Sequence, residues 1–234
     1  AERFKFEFTG IDYEALVHGS DNLICSSVAH VFQKNGKTMP PLHYRCHSTI
    51  PCDKGLGLSA ASIVGGIIIG TLLCDIRPLP NYQELLQRAA TMCDNNRNVD
   101  SIAAALYGGV QILIENEDVD DVGARGPGPG TAFESHSSWV SRRIGNGSND
   151  IDAVVFVPDQ SKAHAAARDA IPSNVSLEAC RFNIGRVAFL VHALCHSDPD
   201  VIYLGTQDAV HQNALAQKFY PHLLPLIQAA IRSG

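Results

Sequence analysis

The sequence predicts a mixed α+β chain of two domains, and three observations carry that expectation. Strand-like and helix-like apolar patterns alternate from Arg3 to Ile114, a long aperiodic stretch follows from Glu115 to Asp150, and a second set of patterns starts at Ile151. With 234 residues, 45% of them hydrophobic and 18% charged, the chain has apolar side chains enough for a real core. The expected domains are therefore residues 1–150 and 151–234.

A strand is expected near Arg3 to Phe8, then a helix opened by Ser20-Asp21-Asn22, whose side chains suit an N-cap, and running to Gly36. Residues 42–50 read as a strand with Leu42, Tyr44, Cys46, Ser48 and Ile50 on one face. After a glycine turn, a helix is expected from Ser59 to about Leu73 and another from Tyr82 to about Cys93. Residues 100–107 suggest a short helix feeding Gly108-Gly109 and the strand VQILI. The stretch 115–150, with its acidic cluster and its GARGPGPG run, reads as a loop or insertion. Beyond it, IDAVVFVP is expected as a buried strand, 163–170 as a helix ending before Pro172, 176–194 as a strongly amphipathic helix, and Pro221 to Arg232 as the last helix.

Composition narrows the function. Lys+Arg 18 against Asp+Glu 24 gives a net charge of -6, which argues against nucleic acid as a partner, because phosphate backbones require a basic face. The apolar run from Ala60 to Cys74 is shorter than the roughly 20 residues of a bilayer span and is broken by Gly65, Gly66 and Gly70, so no membrane contact is expected. AERFKFEF has no secretory pattern, and the 7 cysteines form no C-x-x-C pair, which points to small buried residues in a reducing cytoplasm. His192, His196 and the other histidines show no paired metal spacing and read as structural or exposed.

The most informative segment is Pro51 to Ser62, where a strand passes through Lys54-Gly55-Leu56-Gly57-Leu58 into an apolar helix opened by Ser59, Ala60 and Ala61. Glycines permit positive φ and close approach of a ligand to backbone, while the first helical N–H groups point outward at the positive end of the helix dipole. A phosphate fits such a turn, and Ser59 could reach a phosphate-bound metal. The spacing alone leaves a second reading open: a glycine turn with Ser59 as an ordinary N-cap. The segment matches neither G-x-x-x-x-G-K-[ST] nor G-x-G-x-x-G.

This segment resembles the P-x-x-x-G-L-G-S-S-A-A motif of the GHMP kinases, matching it at Pro51, Gly55, Leu56, Gly57, Ser59, Ala60 and Ala61. Further segments resemble the homoserine kinases of that family. Asn22-Leu23-Ile24 is similar to an N-L-I helix start, and Ala104 to Gly109 to the end of H-P-D-N…A-x-x-G-G. Val157-Pro158-Asp159, Arg168, Pro172, Val175-Ser176-Leu177, Phe182-Asn183 and Arg186 follow V-P-D…A-R…L-P…V-S-L…F-N-x-x-R. Gln207-Asp208 with His211-Gln212 follows Q-D-x-x-H-Q, so the likeness runs in order over about residues 6–225.

The resemblance implies a nucleotide-binding N-terminal domain with a left-handed βαβ crossover and a ferredoxin-like C-terminal domain. The family's opening P-A-S-x-A-N strand and closing S-G-x-G-P-T turn have no counterpart in residues 1–234, so the expected fold is truncated at both ends. The implied activity is ATP-dependent phosphorylation of the L-homoserine hydroxyl in threonine biosynthesis, in the cytoplasm, with Mg2+ as cofactor and a homodimer as an option. Under that implication Asn22 and residues Lys54, Gly55, Leu56, Gly57, Leu58, Ser59, Ala60 and Ala61 bind ATP, Asp100 and Arg168 bind substrate, and Ser59 and Asn96 hold the metal.

Several positions depart from the pattern. Leu58 replaces the first serine of the pair, Asn96 stands where the magnesium-binding glutamate belongs, and Asn98 stands where a substrate histidine belongs. A neutral amide is a weaker ligand for a hard cation than a carboxylate. The arginine that follows H-Q-P-Y is missing, with Lys218 the nearest cation. These losses keep two alternatives open: a catalytically silent nucleotide-binding or interaction protein of the same fold, or a kinase of another small alcohol. Asp100 as a surface or capping group, Arg168 at a helix C-terminus, and Asn183 as a brace of the fold also remain open.

Overall fold

In the computed structural model the described residues are 4–12, 14, 16, 21–52, 54–93, 98–117, 137–144, 154–156, 172–212, 215–216 and 219–233, with the side chains of 117, 137 and 138 excepted. The elements in order are β1 (Phe4–Gly10), α1 (Leu23–Lys34), β2 (Leu42–Ser48), α2 (Leu58–Leu73), α3 (Tyr82–Ala90), α4 (Val99–Tyr107), β3 (Val110–Glu117), β4 (Ser137–Ile144), α5 (Leu177–His196), α6 (Pro199–Gly205) and α7 (Leu223–Ser233). The chain divides into two compact units, Ala1–Cys52 with Leu56–Arg143, and Asp53–Gly55 with Ile144–Gly234. No helix among the described residues is long and apolar enough to cross a membrane.

In the first unit β1 and β2 pair in parallel, with Phe4 opposite Leu42, Phe6 opposite Tyr44 and Phe8 opposite Cys46. Alternation puts these residues on one face, where Phe6 stacks on Tyr44 with ring centroids 5.0 Å apart. Lys5, Glu7, His43 and Arg45 occupy the other face, and Glu7 bonds Lys5, His43 and Arg45 at 2.9, 3.0 and 3.0 Å. The polar face faces water and the aromatic face joins the core.

That core is built by α1, α2, α3 and α4, with Val28, Ile67, Leu86 and Ile102 at 0 to 1% exposure. Burying each such side chain stabilises the fold by about 1.5–3 kcal/mol before entropy is counted. Glycine sets how closely α1 and α2 approach. A Cβ on Gly66 would lie 2.6 Å from Ile24 O and from Ser27 Cβ, and one on Gly70 would lie 2.8 Å from Val31 Cβ. Four residues along α2 thus correspond to about four along α1, so the two helices run parallel with their N-termini at the same end.

Two expectations from the sequence are corrected. The stretch 115–150 is not all loop: β3 continues to Glu117, and Ser137–Ile144 is a strand, β4, sharing a two-stranded sheet with β3. Its polar and cationic residues, SSWVSRRI, give no apolar alternation; besides its pairing with β3, the Gln87 side chain on α3 donates to Trp139 O at 2.8 Å and accepts from Trp139 N at 3.2 Å. In the opposite direction, the expected buried strand at 151–158 is absent from its described part. Val154, Val155 and Phe156 are exposed and outside any ladder, because apolar residues form a buried strand only against a neighbour. The expected helix at 163–170 lies outside the described residues.

In the second unit, α5 opens at Ser176, whose hydroxyl accepts from Ala179 N at 3.1 Å, and α6 packs against it where Gly205 meets the Leu190 backbone. Asn183 braces this unit: its amide donates to Asp208 Oδ1 at 2.6 Å and its carbonyl accepts from Ala209 N at 2.9 Å.

Candidate functional site: a glycine turn at the head of α2

The turn is reached from β2 along a fixed path. Gly10 at φ 106 lets the end of β1 press on Ser48, since a Cβ there would sit 2.0 Å from the Ser48 carbonyl oxygen. Ile11 N then donates to Ser48 O at 2.8 Å, and Asp12 accepts from Cys52 N at 3.1 Å. Asp12 is thus a part of the site's support that sequence reading passed over. Its only signal was a short acid two residues after the glycine that ends a strand.

Gly55 and Gly57 have φ of 70° and 85°, the left-handed region that other residues enter only with strain. Gly57 is the N-cap of α2 and no side chain caps the helix. The reading of Ser59 as N-cap is therefore overturned: the helix begins at Leu58, one residue ahead of Ser59. The first intrahelical bond closes from Ala61 N to Gly57 O at 2.9 Å, so the N–H groups of Leu58, Ser59 and Ala60 precede the helical ladder. The first turn holds no acidic residue, so nothing there opposes an anion. Space beside Gly57 is open, since a Cβ there would meet nothing within 4 Å. Leu56 and Ser59 are exposed, Lys54, Leu58 and Ala61 are half-buried, and Ala60 is buried beneath the turn.

Asn22 lies at the same end of the helix pair. Its side chain is 7% exposed and accepts from Ile24 N at 2.9 Å and from Cys25 N at 3.4 Å, so the residue caps α1. Carrying the α1–α2 correspondence back one turn sets it level with about Ser62.

At the head of α4, Asn98 is the N-cap with φ 68 and ψ 21, a conformation asparagine tolerates better than most residues. Asp100 is exposed in the first turn of that helix, where its carboxylate also complements the dipole. Asn96, Arg168 and Lys218 lie outside the described residues. For a hard cation the described donors are few: Ser59 offers a hydroxyl that does not cap α2, and Asp100 a carboxylate. Among the described residues no group of three His, Cys, Asp or Glu side chains is placed to hold a metal ion. Mg2+ there would depend on oxygens of a bound polyphosphate.

The model of the GHMP kinases N-terminal domain matches residues 22–109, the stretch that holds this turn and the apolar helix it opens. Residues 22–109 thus belong to the GHMP kinase N-terminal domain family. The chain's curated relatives include the homoserine kinase of Caldanaerobacter subterraneus, 30% identical over 96% of this chain and 64% of that one. The homoserine kinase of Synechocystis is 30% identical over 97% of this chain and 66% of its own length, and that of Desulfitobacterium hafniense is 27% identical over 100% and 70%. The crystal structure of homoserine kinase from Cytophaga hutchinsonii superposes with a TM-score of 0.64 at 20% identity, over 99% of this chain and 67% of that one. This last likeness is one of fold. The chain thus spans about two thirds of the length of the relatives it matches.

Proposed function

We propose that the protein is a small-molecule kinase that transfers the γ-phosphoryl group of ATP to the side-chain hydroxyl of L-homoserine, giving O-phospho-L-homoserine. The observation that carries this reading is the head of α2, where left-handed glycines present backbone N–H groups with no capping side chain and no acidic residue in the first helical turn. Phosphoryl transfer asks the protein mainly to position the reactants and neutralise charge, which main-chain donors and a helix dipole supply without a strong base. Gly55 to Ala61 would cradle the triphosphate, with Lys54 beside it and Asn22 toward the base. Asp100 and Arg168 would hold the amino acid. Ser59 and Asn96 would hold Mg2+, which would supply charge neutralisation for the polyphosphate.

ADP release from ATP, measured with L-homoserine and with a panel of other amino alcohols, tests the assignment. Turnover with L-homoserine supports it, turnover with another alcohol moves the substrate, and nucleotide binding without turnover points to a silent relative. The silent reading draws on Asn98, which sits as a left-handed cap where the resemblance implies a histidine. Arg168→Ala should raise the homoserine KM roughly tenfold or more, the loss of a charge-assisted contact, while leaving ATP affinity unchanged. An unaltered KM would remove Arg168 from the site.

A further inference from the structure

We propose that His192 and His196, at the C-terminal end of α5, form a two-point chelate for a divalent transition-metal ion of the Zn2+ class. This site is independent of the phosphotransfer reading. The two residues are four apart on a helix, so they share one face, a spacing that lets two imidazoles bind one ion. Both are exposed, and their rings already stand together with centroids 4.3 Å apart and 24° between planes.

Three further features favour a cation there. His196 Nδ1 lies 2.9 Å from the His192 carbonyl oxygen, which can only accept, so Nδ1 carries the proton. The neutral ring then has its lone pair on Nε2, the arrangement that a backbone carbonyl imposes on metal-binding histidines. The carboxylate of Asp198 approaches His192 Nε2 at 3.9 Å and supplies counter-charge. Finally, the α5 carbonyls at this end carry the negative pole of a 20-residue helix, which favours a positive ligand. In the present rotamers no three ligating side chains among the described residues converge, so the chelate is two-coordinate from the protein and water completes it. Imidazole nitrogen prefers borderline ions to Mg2+, which keeps this site apart from any ATP-bound magnesium.

Titration of the whole chain with Co2+ in excess Mg2+ tests the proposal, because visible d–d bands report nitrogen and oxygen ligation while a near-ultraviolet charge-transfer band reports thiolate. One Co2+ should bind with d–d bands and no thiolate band. Alanine keeps an exposed helix intact, so His192→Ala and His196→Ala should each weaken binding roughly tenfold or more without loss of helicity. Asp198→Asn, which preserves the cap that Asp198 gives α6, should weaken binding by a smaller factor, and His222→Ala should leave it unchanged. Equal Co2+ affinity in wild type and both histidine variants, a dominant thiolate band, or no binding at all would overturn it.

Discussion

Helices α2 and α5 are both long and largely apolar, with 16 and 20 residues, yet they end in different surroundings. Helix α2 buries Ile63, Val64, Gly66, Ile67 and Gly70 among others, whereas α5 buries only Ala193 and leaves Ile184 72% exposed. The difference lies in what each helix meets. Gly66 and Gly70 let α2 come against the backbone of α1, and β1, β2, α3 and α4 complete the enclosure. Along α5, Gly205 makes a comparable close approach to Leu190, but the side chains at Leu177, Ile184 and Val187 remain open. An apolar stripe specifies a helix; a partner surface at close range is what turns it into a core.

The sharpest break in that comparison comes from truncating one side chain in each unit. Leu86→Ala, at 0% exposure, should cost about 3 kcal/mol or more, while Ile184→Ala should stay within about 0.5 kcal/mol, both read from urea unfolding midpoints. Equal costs would mean that the two units are packed alike. Next in size, Gly66→Ala should destabilise by roughly 2–3 kcal/mol, because its Cβ must displace the Ile24 backbone or Ser27. A neutral result would show that α1 and α2 are less tightly fitted than described.

The smallest effect belongs to the second unit's polar brace. Burial alone would raise the Asp208 pKa, but bonds from Gln212 N, Asn183, His211 Nδ1 and His211 N outweigh it and hold the carboxyl well below the usual carboxylate range. A depressed folded-state pKa adds stability above the unfolded value of about 3.9, which is lost as pH falls through the folded value. Asp208→Asn should therefore be less stable than wild type at pH 7, and the gap should close progressively as pH drops below about 4. A gap that stays constant through that range would deny the carboxylate its part.

Much of the first unit was legible because its local signals agree. Asn22 and Asn81 cap helices, the strand at Leu42 alternates cleanly, and the glycine turn precedes an apolar run. The fold of the site was readable down to the turn, but not its detail. Left-handed Gly57, and not Ser59, ends the turn, a choice between caps that spacing cannot make. β4 carries no apolar alternation in SSWVSRRI, and its partner strand β3 lies across a long aperiodic stretch, so no local signal marks it. The converse error at Val154 to Phe156 has the same root, since an apolar triplet says nothing about whether a neighbouring strand is present. The sequence reading gives His192 and His196 no paired metal spacing; the helix sets them one turn apart, and the carbonyl that fixes the tautomer of His196 leaves no mark in the sequence.

The central claim is that main-chain donors at the head of α2 hold the polyphosphate of ATP, and equilibrium binding of MgATP to two variants at Gly57 addresses it directly. A Cβ there meets nothing, so Gly57→Ala carries only the backbone strain of its φ of 85°, about 1–2 kcal/mol, and should still bind nucleotide. Gly57→Asp places a carboxylate against the phosphates and should reduce affinity roughly a hundredfold or more relative to Gly57→Ala. If Gly57→Asp instead binds MgATP as tightly as the alanine variant, the nucleotide lies elsewhere and the claim fails.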